Sequence, residues 1–248
     1  MRYVRPKVHL VSMTTVRFAG LNDALQRHAG GEEWLEKRFF GTPGERGSDP
    51  ENTAEAAGRI CYDSFGVGGN PNVTRVREGK IEYFENIFDS NHGSILEHVN
   101  FGFIFQDVSR VFSHELVRHR VGTAISQQSG RYVRPTELVI VHDPLFTDQD
   151  REDFEDIERR YLARVDDYDW DAMPFKEKKK VTSMLRKKLP DGITTEVMWT
   201  ANVRTLRHVV DMRTGEAPEW EIDYVFRQVG NILLEESPAL FQKMQYGG

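Results

Sequence analysis

The chain has 248 residues, a net charge of −6 and a pI of about 5.8, which argues against a general nucleic-acid binder, since those carry a basic face and a high pI. Its single cysteine, Cys61, excludes an intramolecular disulfide and suits a reducing compartment. No apolar run approaches the ~18–20 residues that span a bilayer and the N-terminus lacks a signal-peptide pattern, so a cytoplasmic protein with no membrane partner is expected.

Residues 7–14 alternate in hydrophobicity at Val8 and Leu10 and read as a first strand. Residues 18–50 read as loop-rich around one short helix, EEWLEKRFF, and the Gly, Pro and Asp of the segment that follows mark an exposed loop. Ser48-Asp49-Pro50-Glu51 is a helix-start signal, so 51–63 reads as a helix. Cys61 lies in its apolar-periodic part and is expected in or near the core rather than as a nucleophile. Residues 65–78 look irregular, and Lys80–Phe88 helical.

Val99, Phe101, Phe103 and Phe105 fall on one face of an expected strand. Ser109 should cap a helix running to about Arg118, followed by a loop. Leu138–Val141 reads as a second strand ended by Asp143-Pro144. From Asp148 onward the pattern predicts helices over Asp148–Tyr168, Phe175–Lys188, Thr194–Arg213 and Pro218–Glu236. A single α+β domain over residues 1–248 with a helical C-terminal half is the simplest architecture.

Three polar segments stand out. RHRVGTAISQQSGRY, from Arg118 to Tyr132, concentrates Arg118, His119, Arg120 and Arg131 with small hydroxyls and two glycines in an acidic chain. A solvated basic turn is one reading. An anion site is the other, because guanidinium forks match phosphate or carboxylate oxygens and glycines let backbone N–H groups approach them. His92-Gly93-Ser94-Ile95-Leu96-Glu97-His98 offers two His and a Glu for acid–base or metal chemistry, although Ser94 and Glu97 also fit a capping box. In TANVRTLRHVVDMRTG, Asn202 and Arg213 are eleven residues apart and nearly share a helix face, and Arg213 could simply answer the helix dipole. His114 and His119 are five apart, about 140° round a helix, and Arg118 occupies the position where a zinc helix places its second His. No metal site is assigned. A zinc hydrolase on His114/His119 and a non-catalytic nucleotide-binding module remain the alternatives to an enzyme acting on nucleotides.

Together these segments resemble flavin-dependent thymidylate synthase. The family signature is Arg-His-Arg, seven residues, then Ser-x-Arg-Tyr. Here Arg118-His119-Arg120 is followed by eight residues and Ser129-Gly130-Arg131-Tyr132. Residues His92–His98 are similar to its H-x-[ST]-x-x-E-H. Asn202-Val203-Arg204, Met212-Arg213 and Glu219-Trp220-Glu221-Ile222 are similar to its C-terminal motifs, as is Arg186 four residues before Pro190, with Leu185 in place of Ala. Gln127 replaces a usual acidic residue and His208 a usual Asn.

The resemblance implies a central, mainly antiparallel sheet with helices packed on it, and makes 18–50 and 65–78 look like insertions. It also implies conversion of dUMP to dTMP, with 5,10-methylenetetrahydrofolate as carbon donor and NADPH-reduced FAD as hydride source. Arg118, Ser129, Gly130, Arg131, Arg186 and Arg213 would bind dUMP. Ser94, Arg118, His119, Arg120, Gln127, Asn202, Arg204 and His208 would bind FAD. Arg213 and His92 would lie at the chemistry. Family members are homotetramers with sites shared between subunits, which would account for His208 lying off the face of Asn202 and Arg213.

Overall fold

The computed structural model describes residues 1–215 and 218–244. Strands β1 (Arg2–Val4) and β2 (Lys7–Met13) open the chain, then helices α1 (Phe18–Leu25) and α2 (Gly31–Leu35), which runs into a π-helical turn over Glu36–Phe40. Helix α3 (Asp49–Tyr62), α4 (Lys80–Asp89) and a 3-10 turn over Gly93–His98 lead to β3 (Asn100–Ser109). Next come α5 (Arg110–Leu116), β4 (Thr123–Gln127), β5 (Val139–Val141), α6 (Asp148–Asp166) and α7 (Phe175–Leu185), with a 3-10 turn over Arg186–Lys188. The chain continues through β6 (Thr194–Asn202), α8 (Val203–Arg213), α9 (Trp220–Glu236) and α10 (Pro238–Phe241).

The main sheet is four-stranded and antiparallel, in the order β2-β3-β6-β4, while β1 and β5 form a separate parallel pair. The architecture is thus α+β. Strands β3 and β6 are central, and their alternating residues Phe101, Phe103, Phe105, Val197, Trp199 and Ala201 are buried on one face. Helix α9 covers that face with Ile222, Val225, Phe226, Val229 and Leu233. Phe226 meets Trp199 edge-on at 5.7 Å and Phe105 at 6.2 Å between ring centroids. Each such side chain contributes roughly 1.5–3 kcal/mol on burial, so this seam is the main stabilising layer.

The helix expected over Thr194–Arg213 is a strand followed by a helix. Residues 194–202 alternate Thr195, Val197, Trp199 and Ala201 inward with Glu196 and Met198 exposed. Pairing with β3, about ninety residues away, selects the extended form. Strand β4 and helix α1 fall where the sequence reads as loop, and β1 precedes the first strand it suggests. Helix α5 stops at Leu116, two residues before Arg118.

Two smaller cores flank the sheet. One joins Leu138 and Ile140 to Tyr161, Val165, Leu185 and Ile193 under α6 and α7. The other, Leu25, Trp34, Leu35, Ala56 and Phe65, lies among the N-terminal helices. Ser48 and Glu51 form a reciprocal capping box at the start of α3. The buried face of α3 is carried by Ala54, Ala56, Gly58, Asn52 and three charged residues, Glu51, Glu55 and Arg59. Its larger apolar residues, Ile60 and Tyr62, point outward with Cys61, which is exposed. The core placement expected for Cys61 is therefore wrong: small and ionic residues, not its apolar ones, mark the inner face.

Glu55 is fully buried and takes hydrogen bonds from Trp34 Nε1 at 2.9 Å, Arg38 Nε at 2.7 Å and Arg59 Nε at 2.8 Å. Burial pushes its carboxyl up, but the Arg38 bonds and the Arg59 and Arg38 charges outweigh this and hold it below the ordinary range. Arg38 also donates to the Glu78 carbonyl, and Arg59 to the Ser64 and Arg77 carbonyls. One buried cluster thus ties 31–40 and 64–78 to α3. Among the described residues no helix is long and apolar enough to cross a membrane.

Candidate active site

The Arg118–Arg120 turn leaves the end of α5 and lies along α8. Thr123 Oγ1 donates to the His119 carbonyl at 2.9 Å, and Thr205 Oγ1 donates to the Val121 carbonyl at 2.8 Å. Asn202 caps α8 by accepting from the Thr205 N–H at 2.9 Å, and its own N–H donates to the Gly122 carbonyl at 3.0 Å. Gly122 has φ +67°, and a Cβ there would stand 2.3 Å from Asn202 Nδ2. Only glycine serves at this position. Asn202 and Arg213 do address one segment, as their spacing suggests.

Arg213, at the last turn of α8, donates from Nη1 to Glu115 Oε2 at 2.6 Å and from Nε to His119 Nε2 at 3.0 Å. The guanidinium is fixed from two sides, and Nη2 has no partner among the described residues. The dipole reading alone fails to explain this clamp. His119 is pushed down to about 4 by burial first, then by the charges of Arg213 and His208. It is neutral near pH 7, with Nε2 accepting from Arg213 and the ring proton therefore on Nδ1. Glu115 had no sequence signal as the partner of Arg213, which lies ninety-eight residues away.

The second half of the motif lies at the other end of β4, whose five residues span about 16 Å. The Ser129 carbonyl accepts from the N–H groups of Tyr132 and Val133 in a tight turn, and Ser129 Oγ accepts from the Arg131 N–H at 3.3 Å. Gly130 lies against Arg110 and Arg186, the nearest atoms to a Cβ built there being Arg110 Nη2 at 3.2 Å and Arg186 Cδ at 3.4 Å. These residues line a cavity of about 460 Å³ with His114, Gln128, Lys187 and Asp191. Arg118, Arg120, Arg131 and Arg186 are exposed, and none of their side chains has a carboxylate partner among the described residues.

The His92 segment packs beside the start of α8. Arg204 Nη1 donates to Glu97 Oε1 at 2.6 Å, and Gly93 lies against the Arg204 side chain. No capping box forms: Ser94 caps nothing and Glu97 is used by Arg204. His92 contacts Tyr62, with Tyr62 Oη 3.2 Å from Nδ1. Both face a separate cavity walled by Asn70, Arg75 and Arg77. Gln127 points inward, donating to Ser113 Oγ at 2.9 Å, so it does not join the arginine turn. Among the described residues no group of three or more His, Cys, Asp and Glu is placed to hold a metal. His119 Nε2 is in any case engaged by Arg213.

A family model described as "Thymidylate synthase complementing protein" matches residues 45–239. The flavin-dependent thymidylate synthase of Corynebacterium aurimucosum is 32% identical over 212 residues, covering 79% of this chain and 81% of the relative. That of Clostridium tetani is 32% identical over 211 residues, 78% of this chain and 82% of the relative. That of Geobacter sulfurreducens is 30% identical over 202 residues, again 78% and 82%. The chain belongs to the family of flavin-dependent thymidylate synthases.

The residues present suit FAD. A dinucleotide carries a pyrophosphate, which is best met by guanidinium and hydroxyl donors. Arg118, Arg120, Arg204 and Ser94 are exposed. The absence of a side chain at Gly93 lets Arg204 lie against the His92 turn.

Proposed function

We propose that this chain makes dTMP from dUMP, taking carbon from 5,10-methylenetetrahydrofolate and hydride from NADPH by way of FAD. The observation that carries this reading is the placement of arginines without carboxylate partners at both ends of β4, with the clamped Arg213 at one of them. Bound FAD supplies the redox chemistry. The protein binds, orients and polarises.

Arg118 and Arg131, with the backbone at Ser129-Gly130 and with Arg186, take the phosphate and sugar of dUMP. Arg213 presents Nη2 to the pyrimidine and stabilises negative charge that grows on the ring, as a preorganised donor does. Glu115 and His119 hold that guanidinium in place. Neutral His119 adds no positive charge beside Arg213. Ser94, Arg120, Asn202, Arg204 and His208 lie on the FAD side, and His92 near flavin and pyrimidine. The two anion-binding groups stand at opposite ends of one strand, so we infer a homotetramer in which one subunit's Gly130 end meets another's Arg213 end. Gln127 has the weakest claim of the residues assigned to FAD, since its amide already serves Ser113.

Purified protein should show flavin bands in its visible spectrum, oxidise NADPH faster with dUMP, and form dTMP when all three substrates are present. FAD-loaded protein that binds dUMP but forms no dTMP would leave a nucleotide-binding module in place of the enzyme.

A further inference from the structure

Arg110 belongs to none of the motifs that carry the family likeness, yet it is placed where an anion would be held. The bulge in β3, with a register shift between Phe105 and Val108 and Asp107 at φ +58°, turns the chain so that Ser109 caps α5. Arg110 follows at once. Its own N–H is shared between the Asp191 and Ile193 carbonyls at 2.9 and 3.2 Å, which sets it beside the end of the Arg186–Lys188 turn. Its guanidinium reaches into the cavity, donating from Nη2 to the Gln128 carbonyl at 3.3 Å. That is its only hydrogen bond among the described residues, for a group with five N–H donors.

Arg186 lines the same cavity, and Gly130 touches both arginines, with Arg110 Nη2 at 3.2 Å and the Arg186 stem at 3.4 Å from a Cβ built there. A side chain at 130 would crowd both arginines. The two like charges repel each other, and neither arginine has a carboxylate within ion-pair distance among the described residues. Burial, then the Arg186 charge, lowers the Arg110 pKa, with Asp191 opposing. Asp191 and Glu137 line the same cavity without pairing with either arginine, Glu137 being taken by Arg2 and the N-terminal amine. The uncompensated positive charge is what a dianion would neutralise.

We propose that Arg110 and Arg186, both against Gly130, form a clamp for the phosphate monoester of the nucleotide substrate, with Arg110 as a binding residue. The clamp rests on the dUMP reading above and gives it a specificity: a monophosphate, with its terminal dianion, over the nucleoside.

The test is equilibrium binding of dUMP and of deoxyuridine to the FAD-loaded protein and its variants, with assembly size followed by light scattering. Loss of one charge-assisted contact should weaken dUMP roughly ten- to hundredfold in Arg110→Ala. Deoxyuridine binding should change less than about threefold, and Arg110→Lys should recover part of the loss. Arg110→Ala should also melt no lower than wild type without ligand, since it removes a poorly compensated charge, while losing most of the melting shift that dUMP gives. Gly130→Ala should weaken dUMP without changing assembly size. Unchanged dUMP affinity in Arg110→Ala overturns the clamp. So does an equal loss of dUMP and deoxyuridine, or a smaller assembly, since Arg110 would then support the fold or a subunit contact. Wild-type protein that binds both ligands equally overturns the substrate reading and the clamp with it, an outcome distinct from the others because no variant is involved.

Discussion

The arginines of the N-terminal helices and those around β4 have opposite surroundings. Arg38 and Arg59 are 2% exposed, and both give their charge to Glu55. Arg118, Arg120, Arg131 and Arg186 have no carboxylate in their own chain among the described residues, although the protein as a whole has an excess of acid. An arginine matched inside the chain fixes backbone, here the segments 31–40 and 64–78. An arginine left unmatched in an acidic protein is available to a ligand. Residue type is the same in both regions; Arg213 and Arg204 stand between the two, each held by one carboxylate, Glu115 and Glu97, but not buried as Arg38 and Arg59 are.

The strongest way to break this contrast is to unmatch the first region. Glu55→Leu leaves two guanidiniums buried without a counter-charge and should cost on the order of 3–5 kcal/mol, read in denaturant or thermal unfolding. A stability change under about 1 kcal/mol would show that the cluster does not organise these segments.

Glu221 sharpens the contrast as a buried carboxylate without a cation. It accepts from the Ser109 N–H at 2.7 Å and Ser109 Oγ at 2.5 Å. Burial nonetheless pushes it up to about 7, with Glu219 and Asp143 adding to the rise. Between pH 4.5 and 7 the unfolded carboxyl ionises first, so stability falls as pH rises. His119 has the opposite sign: as pH drops from 6.5 to about 4 only the unfolded imidazole gains a proton, and stability falls with pH. Glu221→Gln should therefore gain on wild type from pH 4.5 to 7, by on the order of 3 kcal/mol at most. A difference that stays flat across that window would mean Glu221 ionises normally in the fold.

The unmatched region should respond in ligand affinity and not in stability. Arg131→Ala should weaken dUMP roughly ten- to hundredfold while unfolding within about 0.5 kcal/mol of wild type. It should also lose most of the preference for dUMP over deoxyuridine. Arg213→Ala should keep that preference and lower kcat, because charge on the uracil grows toward the transition state. Equal discrimination by both variants would remove this division of roles.

The smallest effect is expected at Cys61. It is exposed on α3 and belongs to neither charged region. Cys61→Ser should keep dTMP synthesis within about tenfold, a change of ~1.4 kcal/mol or less. Inactivation of a folded, flavin-bound variant would restore a catalytic reading of the thiol.

What could be read from the chain alone divides along the same physical line. The alternation of Phe101, Phe103 and Phe105 and the Ser48–Glu51 box are local patterns, and both stand in the structure. Strand β6 was merged with α8 because its extended form depends on β3, distant in sequence. Apolar spacing puts Cys61 inside, but α3 buries Glu55 and Arg59 and turns its larger apolar residues outward. At the site, residue types and spacings point to the anion-binding arginines. Glu115, Arg110 and Tyr62 were missed because their roles arise from contacts across the fold. Arg110 and His114 do share a helix face four residues apart, the one local hint of a lined cavity.

Gly122 has a consequence for how chain length can vary here. It is the zero mark of a ruler, since its backbone is registered against the Asn202 cap and has no room for a side chain. A residue gained between Arg120 and this point would slide the whole basic turn along α8 and detach His119 from Arg213. One gained beyond it, within β4, would shift that strand's register against β6 as well as re-aim its far end. Length libraries for altering nucleotide preference belong after Gln128, where the pairing of β4 with β6 has ended.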